Sequence, residues 1–297
     1  MEIVVSGASG FIGSRLVPAL ERRGHRVVRL TRGDTGGGDS IVWDPAAGQL
    51  DAASLEGTDA VVHLAGENIA ARRWNPSQKE RIRHSRVAGT RALCEALAGA
   101  PSVPETLVCA SAIGIYGDRG GELLTEDSSH GSGFLAEVCA DWEAATEPAA
   151  QAGVRVVLVR FGVVLSPDGG ALAKMLLPFR MGAGGRVGGG AQLMSWIALD
   201  DAVRVLEHAL AQGSLRGPVN AVSPHPVTNA QFTRALGRAL RRPTIFPMPA
   251  AVARLAFGEM ANELLLASQR VQPRALEQSG FTFEHPELEG ALRHLLG

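Results

Sequence analysis

A short apolar run, Ile3 to Ser6, passes into a helical pattern through Gly7-Ala8-Ser9-Gly10-Phe11-Ile12-Gly13, with a glycine at every third position. A strand that turns straight into a helix through residues lacking side chains exposes its first helical N–H groups with no Cβ in the way. Such a turn accepts a pyrophosphate. Glycine spacing alone says little, but here the unit closes with a second apolar run, Val27-Val28-Arg29-Leu30, and the strand–turn–helix–strand context gives it weight. The reading is a dinucleotide-binding α/β unit at the start of the chain, with Gly7, Ser9, Gly10, Phe11, Ile12 and Gly13 at the phosphates.

The same alternation continues. Residues 3–6, 26–30, 60–65, 106–110 and 155–160 read as strands, and 11–23, 76–98 and about 134–152 as helices. Asn75 as N-cap, Pro76 in the first turn and Gln78 as the return partner of a capping box mark the start of the second helix. Together these predict an α/β fold, a Rossmann-type doubly wound parallel sheet with a smaller C-terminal substrate lobe. Residues 1–165 would form the dinucleotide-binding domain, rejoined by about 196–224, and 166–195 with 225–297 the smaller lobe. The glycine-rich stretch 181–190 is expected to border a pocket, and ligands are expected at the C-terminal ends of the strands.

At the end of the second strand, where a carboxylate would hold the ribose 2′-hydroxyl of NAD, stand Thr31 and Arg32. A guanidinium there offers a permanent, bidentate partner to a 2′-phosphate and can stack on adenine. NADP(H) is therefore expected over NAD(H), the alternative being that Arg32 is a solvated surface side chain. Formal net charge is -1, from 29 basic and 30 acidic residues, which gives no electrostatic reason to expect nucleic acid or an anionic membrane as partner. Cys94, Cys109 and Cys139 are widely spaced without a C-x-x-C pair, arguing against a disulfide framework and a zinc site; no metal is expected. With strand-like sequence directly after Met1 and no apolar run of membrane-spanning length, a cytoplasmic protein is expected.

These features, with His63-Leu64-Ala65-Gly66 after the third apolar run and Ser111 after the fourth, resemble the extended short-chain dehydrogenase/reductases. More narrowly, the chain resembles their atypical epimerase family, related by name to nucleoside-diphosphate-sugar epimerases. Gly66-Glu67-Asn68-Ile69-Ala70, Arg73-Trp74, Ser85 to Thr90, Ser111 to Gly117, Phe134 to Cys139, Trp142-Glu143 and Ser195-Trp196-Ile197 carry that match. The tail, with Gly258-Glu259-Met260-Ala261, Leu264 to Leu266, Gln269-Arg270-Val271 and Gly280 to Phe283, resembles the family's own C-terminal region of unknown function. The resemblance spans essentially the whole chain. It implies cofactor contacts from Leu64, Ala65, Gly66, Ser111 and Phe161 besides the glycine turn.

Ordinary members use a Tyr-x-x-x-Lys pair on one helix face, the lysine lowering the tyrosine pKa for proton exchange. Registered on Glu143, the matching positions here are Leu135 and Cys139. No shift of register restores the pair, because the single tyrosine, Tyr116, is followed four residues on by Gly120, and neither Lys79 nor Lys174 is near a suitable site. Three candidates remain, each with a structural alternative. Arg86, at the position usually filled by asparagine, is a catalytic or ligand-binding group or else a structural ion-pair or rim residue. Cys139 is a reactive or else a packed core thiol. Ser111 holds the substrate oxygen or is an ordinary strand-end serine. The expectation is an NADP(H)-dependent oxidoreductase or epimerase-like enzyme acting on a small molecule, with Ser111 and either Arg86 or a water replacing the tyrosine. The alternative is a non-catalytic NADPH-binding redox sensor. By analogy with extended members, a homodimer through helices 76–98 and 134–152 is implied.

Overall fold

A computed structural model describes residues 1–33, 39–45 and 47–297. Seven strands form one sheet: β1 (Glu2–Ser6), β2 (Arg26–Thr31), β3 (Ser40–Val42), β4 (Ala60–His63), β5 (Thr106–Ala112), β6 (Arg155–Phe161) and β7 (Gly217–Ala221). Their order is β7-β6-β5-β4-β1-β2-β3, and the β1–β2, β1–β4, β2–β3 and β4–β5 pairings are all parallel. The chain winds outward from β1 to β3, then crosses back to β4 on the other side of β1. The point where winding reverses therefore lies between β1 and β4, the place where such sheets open to ligands.

The strands are legible as continuous β-branched runs because both faces are covered. Ile3, Val4, Val5, Val61 and Val62 have no exposed surface at all. Helix α1 (Gly13–Arg22) buries Leu16, Val17, Ala19 and Leu20 along one face. Helix α2 (Pro76–Ala98) starts where expected, with Asn75 Oδ1 accepting from the Gln78 N–H at 2.8 Å. The capping box is only half formed. Gln78 is buried, and its side chain is used elsewhere: its amide donates to Glu67 Oε1 at 3.3 Å and its carbonyl accepts from Arg81 Nη2 at 2.6 Å.

The expected helix 134–152 is two helices, α3 (Phe134–Ala144) and α4 (Glu147–Gln151). Pro148 lacks an N–H and its ring collides with the carbonyl four residues back, so the α3 ladder cannot run through it. Thr146 closes the end of α3 by donating both its N–H, at 3.2 Å, and its hydroxyl, at 2.7 Å, to the Glu143 carbonyl.

Two compact units emerge. The first comprises residues 1–111, 137–160 and 203–219, and the second 112–136, 161–202 and 220–297. Whereas the sequence reading runs the first domain unbroken to residue 165, the segment 112–136 groups with the second unit. That unit has its own core, in which Leu172, Leu176, Phe179, Trp196, Phe232 and Leu292 pack together. Among the described residues no helix is long and apolar enough to cross a membrane.

Candidate active site

The glycine turn joins β1 to α1. Gly7 has φ +69°, and a Cβ on it would lie 2.9 Å from the backbone of both Leu64 and Ala65, so only glycine lets the turn close against the exit of β4. A Cβ on Gly13 would meet the Gly7 carbonyl oxygen at 2.2 Å, which fixes the first turn of α1 tightly against the loop. No side chain caps the α1 N-terminus. The Ser14 and Arg15 N–H groups close onto the Gly10 and Ile12 carbonyls at 2.9 and 3.0 Å, and the positive end of the helix dipole at this turn suits an anion such as a pyrophosphate. Ser9, Gly10, Phe11 and Ile12 are all partly or fully exposed along this turn.

Beneath it lies a buried polar chain. Ser6 Oγ accepts from the N–H groups of Leu64 at 3.2 Å and Ala65 at 3.3 Å, so its own proton goes to His63 Nδ1 at 2.6 Å. His63 Nε2 then carries the ring proton and donates to Thr90 Oγ1 at 3.0 Å, which also accepts from Trp142 Nε1 at 2.9 Å. Burial holds the imidazole pKa down to about 4 and the ring neutral. This chain pins the Leu64–Ala65 turn that Gly7 packs on.

On the β2 side, Arg32 is exposed and lines a cavity of about 620 Å³ together with Val42, Trp43, Asp44, Leu50 and Asp51. The Thr31 hydroxyl donates to the Gly33 carbonyl at 2.8 Å in an exposed turn after β2. A large, partly apolar cavity beside a guanidinium at the end of β2 suits an adenosine carrying a 2′-phosphate.

On the β5 side the structure draws Ser111 into a network with Glu143, used in the sequence only to set the helix register, and with Arg160, which the sequence did not single out. Its hydroxyl, on a residue 3% exposed, donates to Glu143 Oε1 at 2.6 Å. Arg160, on β6, grips the same carboxylate with Nε on Oε1 and Nη2 on Oε2, both at 2.8 Å. The two side chains of this ion pair are 4% and 10% exposed. Glu143 accepts from both partners, and Ser111, its proton committed, offers outward only lone pairs.

Arg86 projects from α2 over the Trp142 ring, its guanidinium carbon 5.1 Å from the ring centroid. Its Nη1 donates to the carbonyls of Glu67 at 3.0 Å and Ile82 at 3.3 Å. Burial lowers its pKa, opposed by the neighbouring Cys139 thiol and Glu67 carboxylate. Cys139 is buried beside it on α3, and Leu135 is buried one turn earlier, its backbone N–H bonded to Glu263 Oε2 at 2.8 Å. The other two cysteines are buried, with burial driving Cys94 up to about 12 and Cys109 well above the ordinary thiol value.

Phe161, the last residue of β6, is buried, and Tyr116 is wholly buried with its hydroxyl donating to Asn220 Oδ1 at 2.8 Å. Asp200, His285 and His294 place potential metal ligands within 4.8 Å of one another. The two imidazoles are stacked at 4.1 Å and 22°, so their lone pairs run side by side instead of converging on one ion.

Residues 3–221 match the NAD dependent epimerase/dehydratase family, and residues 248–295 match DUF1731, a domain of unknown function. An epimerase family protein of Mycobacterium bovis is 48% identical over 290 residues, covering 98% of this chain and 96% of its own. A relative in Arabidopsis thaliana, described as chloroplastic, is 38% identical over 304 residues, covering 100% and 87%. The crystal structure of the human epimerase family protein SDR39U1 with NADPH superposes with a TM-score of 0.92 at 38% identity, covering 100% of this chain and 99% of that one.

Proposed function

Since this chain belongs to the NAD dependent epimerase/dehydratase family, we propose that it is an NADP(H)-binding oxidoreductase or epimerase-like protein acting on a small molecule. One observation carries the cofactor choice: a guanidinium, Arg32, stands at the end of β2 beside a cavity of about 620 Å³, where a carboxylate would select NAD. The NADPH in the human relative's crystal structure supports it. Gly7 to Gly13 would hold the pyrophosphate, Thr31 and Arg32 the 2′-phosphoribose, and Leu64 to Gly66, Ser111 and Phe161 the remainder. Bound there, the nicotinamide supplies hydride exchange.

The protein's own contribution is proton handling without a Tyr-x-x-x-Lys pair, since Leu135 and Cys139 stand at those positions. Ser111 orients a substrate hydroxyl by accepting from it, Arg86 and Cys139 border the reacting groups, and a bound water takes the tyrosine's part. Denaturing the purified protein and identifying any released nucleotide tests the reading. NADPH or NADP⁺ is expected, whereas NAD(H) would reverse the role given to Arg32.

A second reading, a redox sensor that binds NADPH without turnover, is favoured by the burial of Leu135, Cys139 and Tyr116 alike. It requires NADPH and NADP⁺ to stabilise the fold unequally, and equal thermal shifts would remove it. Either reading is of a cytoplasmic protein without nucleic-acid or membrane partners. Pairing through α2 and the α3–α4 segment 134–152 is part of the proposal, and analytical ultracentrifugation finding a monomer would remove that part.

A further inference from the structure

We infer that Arg86 is the binding site for a carboxylate or phosphate group on the second ligand, the molecule that meets the dinucleotide. This rests on the dinucleotide reading above.

A guanidinium presents five N–H donors, and Nε and Nη2 together form a fork that fits two oxygens of one anion. In Arg86 only Nη1 has acceptors, the two backbone carbonyls of Glu67 and Ile82. Among the described residues no carboxylate lies within ion-pair distance of the guanidinium, and Nε and Nη2 have no hydrogen-bond partner. Neither nitrogen is sealed off, because the one fully enclosed side-chain atom without a partner among the described residues is the Thr58 hydroxyl. Arg86 is thus a largely desolvated cation, offset only by the Trp142 face and a Glu67 carboxylate beyond ion-pair distance, and its anion-binding edge is unpartnered and not fully enclosed. Removing a charge from water without a directly paired counter-charge is costly, and an arriving anion offsets that cost.

Position decides which molecule brings the anion. The guanidinium lies flat against Gly66, where an added Cβ would be 3.5–3.6 Å from its carbon and terminal nitrogens. Gly66 continues the Leu64–Ala65 turn that packs on Gly7, so Arg86 lies along the β4 exit, across β1 from Arg32. A nicotinamide dinucleotide carries its anionic groups in the pyrophosphate and the 2′-phosphate. The glycine turn and Arg32 would take those. The nicotinamide nucleoside carries no further anion, so the one that fits Arg86 belongs to the other ligand.

The test follows the Nε–H resonance of Arg86 in NADPH-saturated, ¹⁵N-labelled protein, assigned by its loss in Arg86→Lys. Acetate and methyl phosphate are titrated at constant ionic strength, with acetamide as the neutral isostere. A saturable shift with a dissociation constant on the order of millimolar is expected for at least one anion and none for acetamide. No shift up to about 100 mM, or an equal shift with acetamide, would overturn the inference. So would a shift caused by NADPH itself that leaves the anions without effect. Whether NADPH binds at all is read first from the same sample, so failure of the dinucleotide reading is seen separately.

Discussion

Two enclosed arginines carry the same charge and meet opposite fates. Arg160 rises from a strand and has both nitrogens of its fork on Glu143, which also holds the Ser111 proton. Arg86 comes from a helix, fills one terminal nitrogen with backbone carbonyls and leaves the fork empty. The first is finished without a ligand and belongs to the scaffold. The second is incomplete, which in a folded protein marks a place where a ligand completes the electrostatics.

The sharpest way to break that contrast is to remove each arginine's surroundings and measure stability without ligand. Glu143→Ala removes the carboxylate that holds both nitrogens of the Arg160 fork and is expected to lose about 3–5 kcal/mol in urea unfolding. Arg86→Met removes a charge that has no carboxylate partner and is expected to be neutral or stabilising. Equal losses from the two would erase the distinction.

A buried group that must stay neutral sharpens it further. His63 titrates near 4 in the fold and near 6.5 when unfolded, so the unfolded chain binds the extra proton between those values. Its contribution is whole above about pH 6.5 and is lost as pH falls through 4, amounting to about 3 kcal/mol. Urea midpoints measured from pH 7 to 4 should fall more steeply for the native protein than for His63→Asn. Parallel curves would mean that the ring is already accessible to protons.

Smaller still is the effect at the exposed arginine. Arg32→Ala is expected to weaken NADPH binding by about 2 kcal/mol, roughly 30-fold, through loss of a charge-assisted bidentate contact. NADH affinity should stay as it was, and a matching loss for NADH would show that Arg32 is not reading the 2′-phosphate.

Much of this is written in local sequence. Val27-Val28 and Val61-Val62 read as strands because both sheet faces are covered, and Asn75-Pro76 marks the α2 start because capping is a short-range interaction. The break after α3 is also local. Pro148 carries it, and the apolar periodicity of 134–152 hides it. The Ser111–Glu143–Arg160 network joins three separate elements, so no window of sequence contains it. One signal was available: an arginine inside the run Val156-Val157-Leu158-Val159-Arg160-Phe161 demands a buried carboxylate. Glu143 served only as a register mark for the helix. Grouping of 112–136 with the C-terminal part is likewise invisible, resting on contacts such as Tyr116 with Asn220, 104 residues apart.

Calorimetric titration of the native protein with NADPH and NADH tests most directly whether the glycine turn and Arg32 form one cofactor site. Saturable binding of NADPH below about 1 mM, tighter than NADH by about tenfold or more, is the predicted result. Absence of heat from both coenzymes at that concentration, with the protein folded, would contradict it.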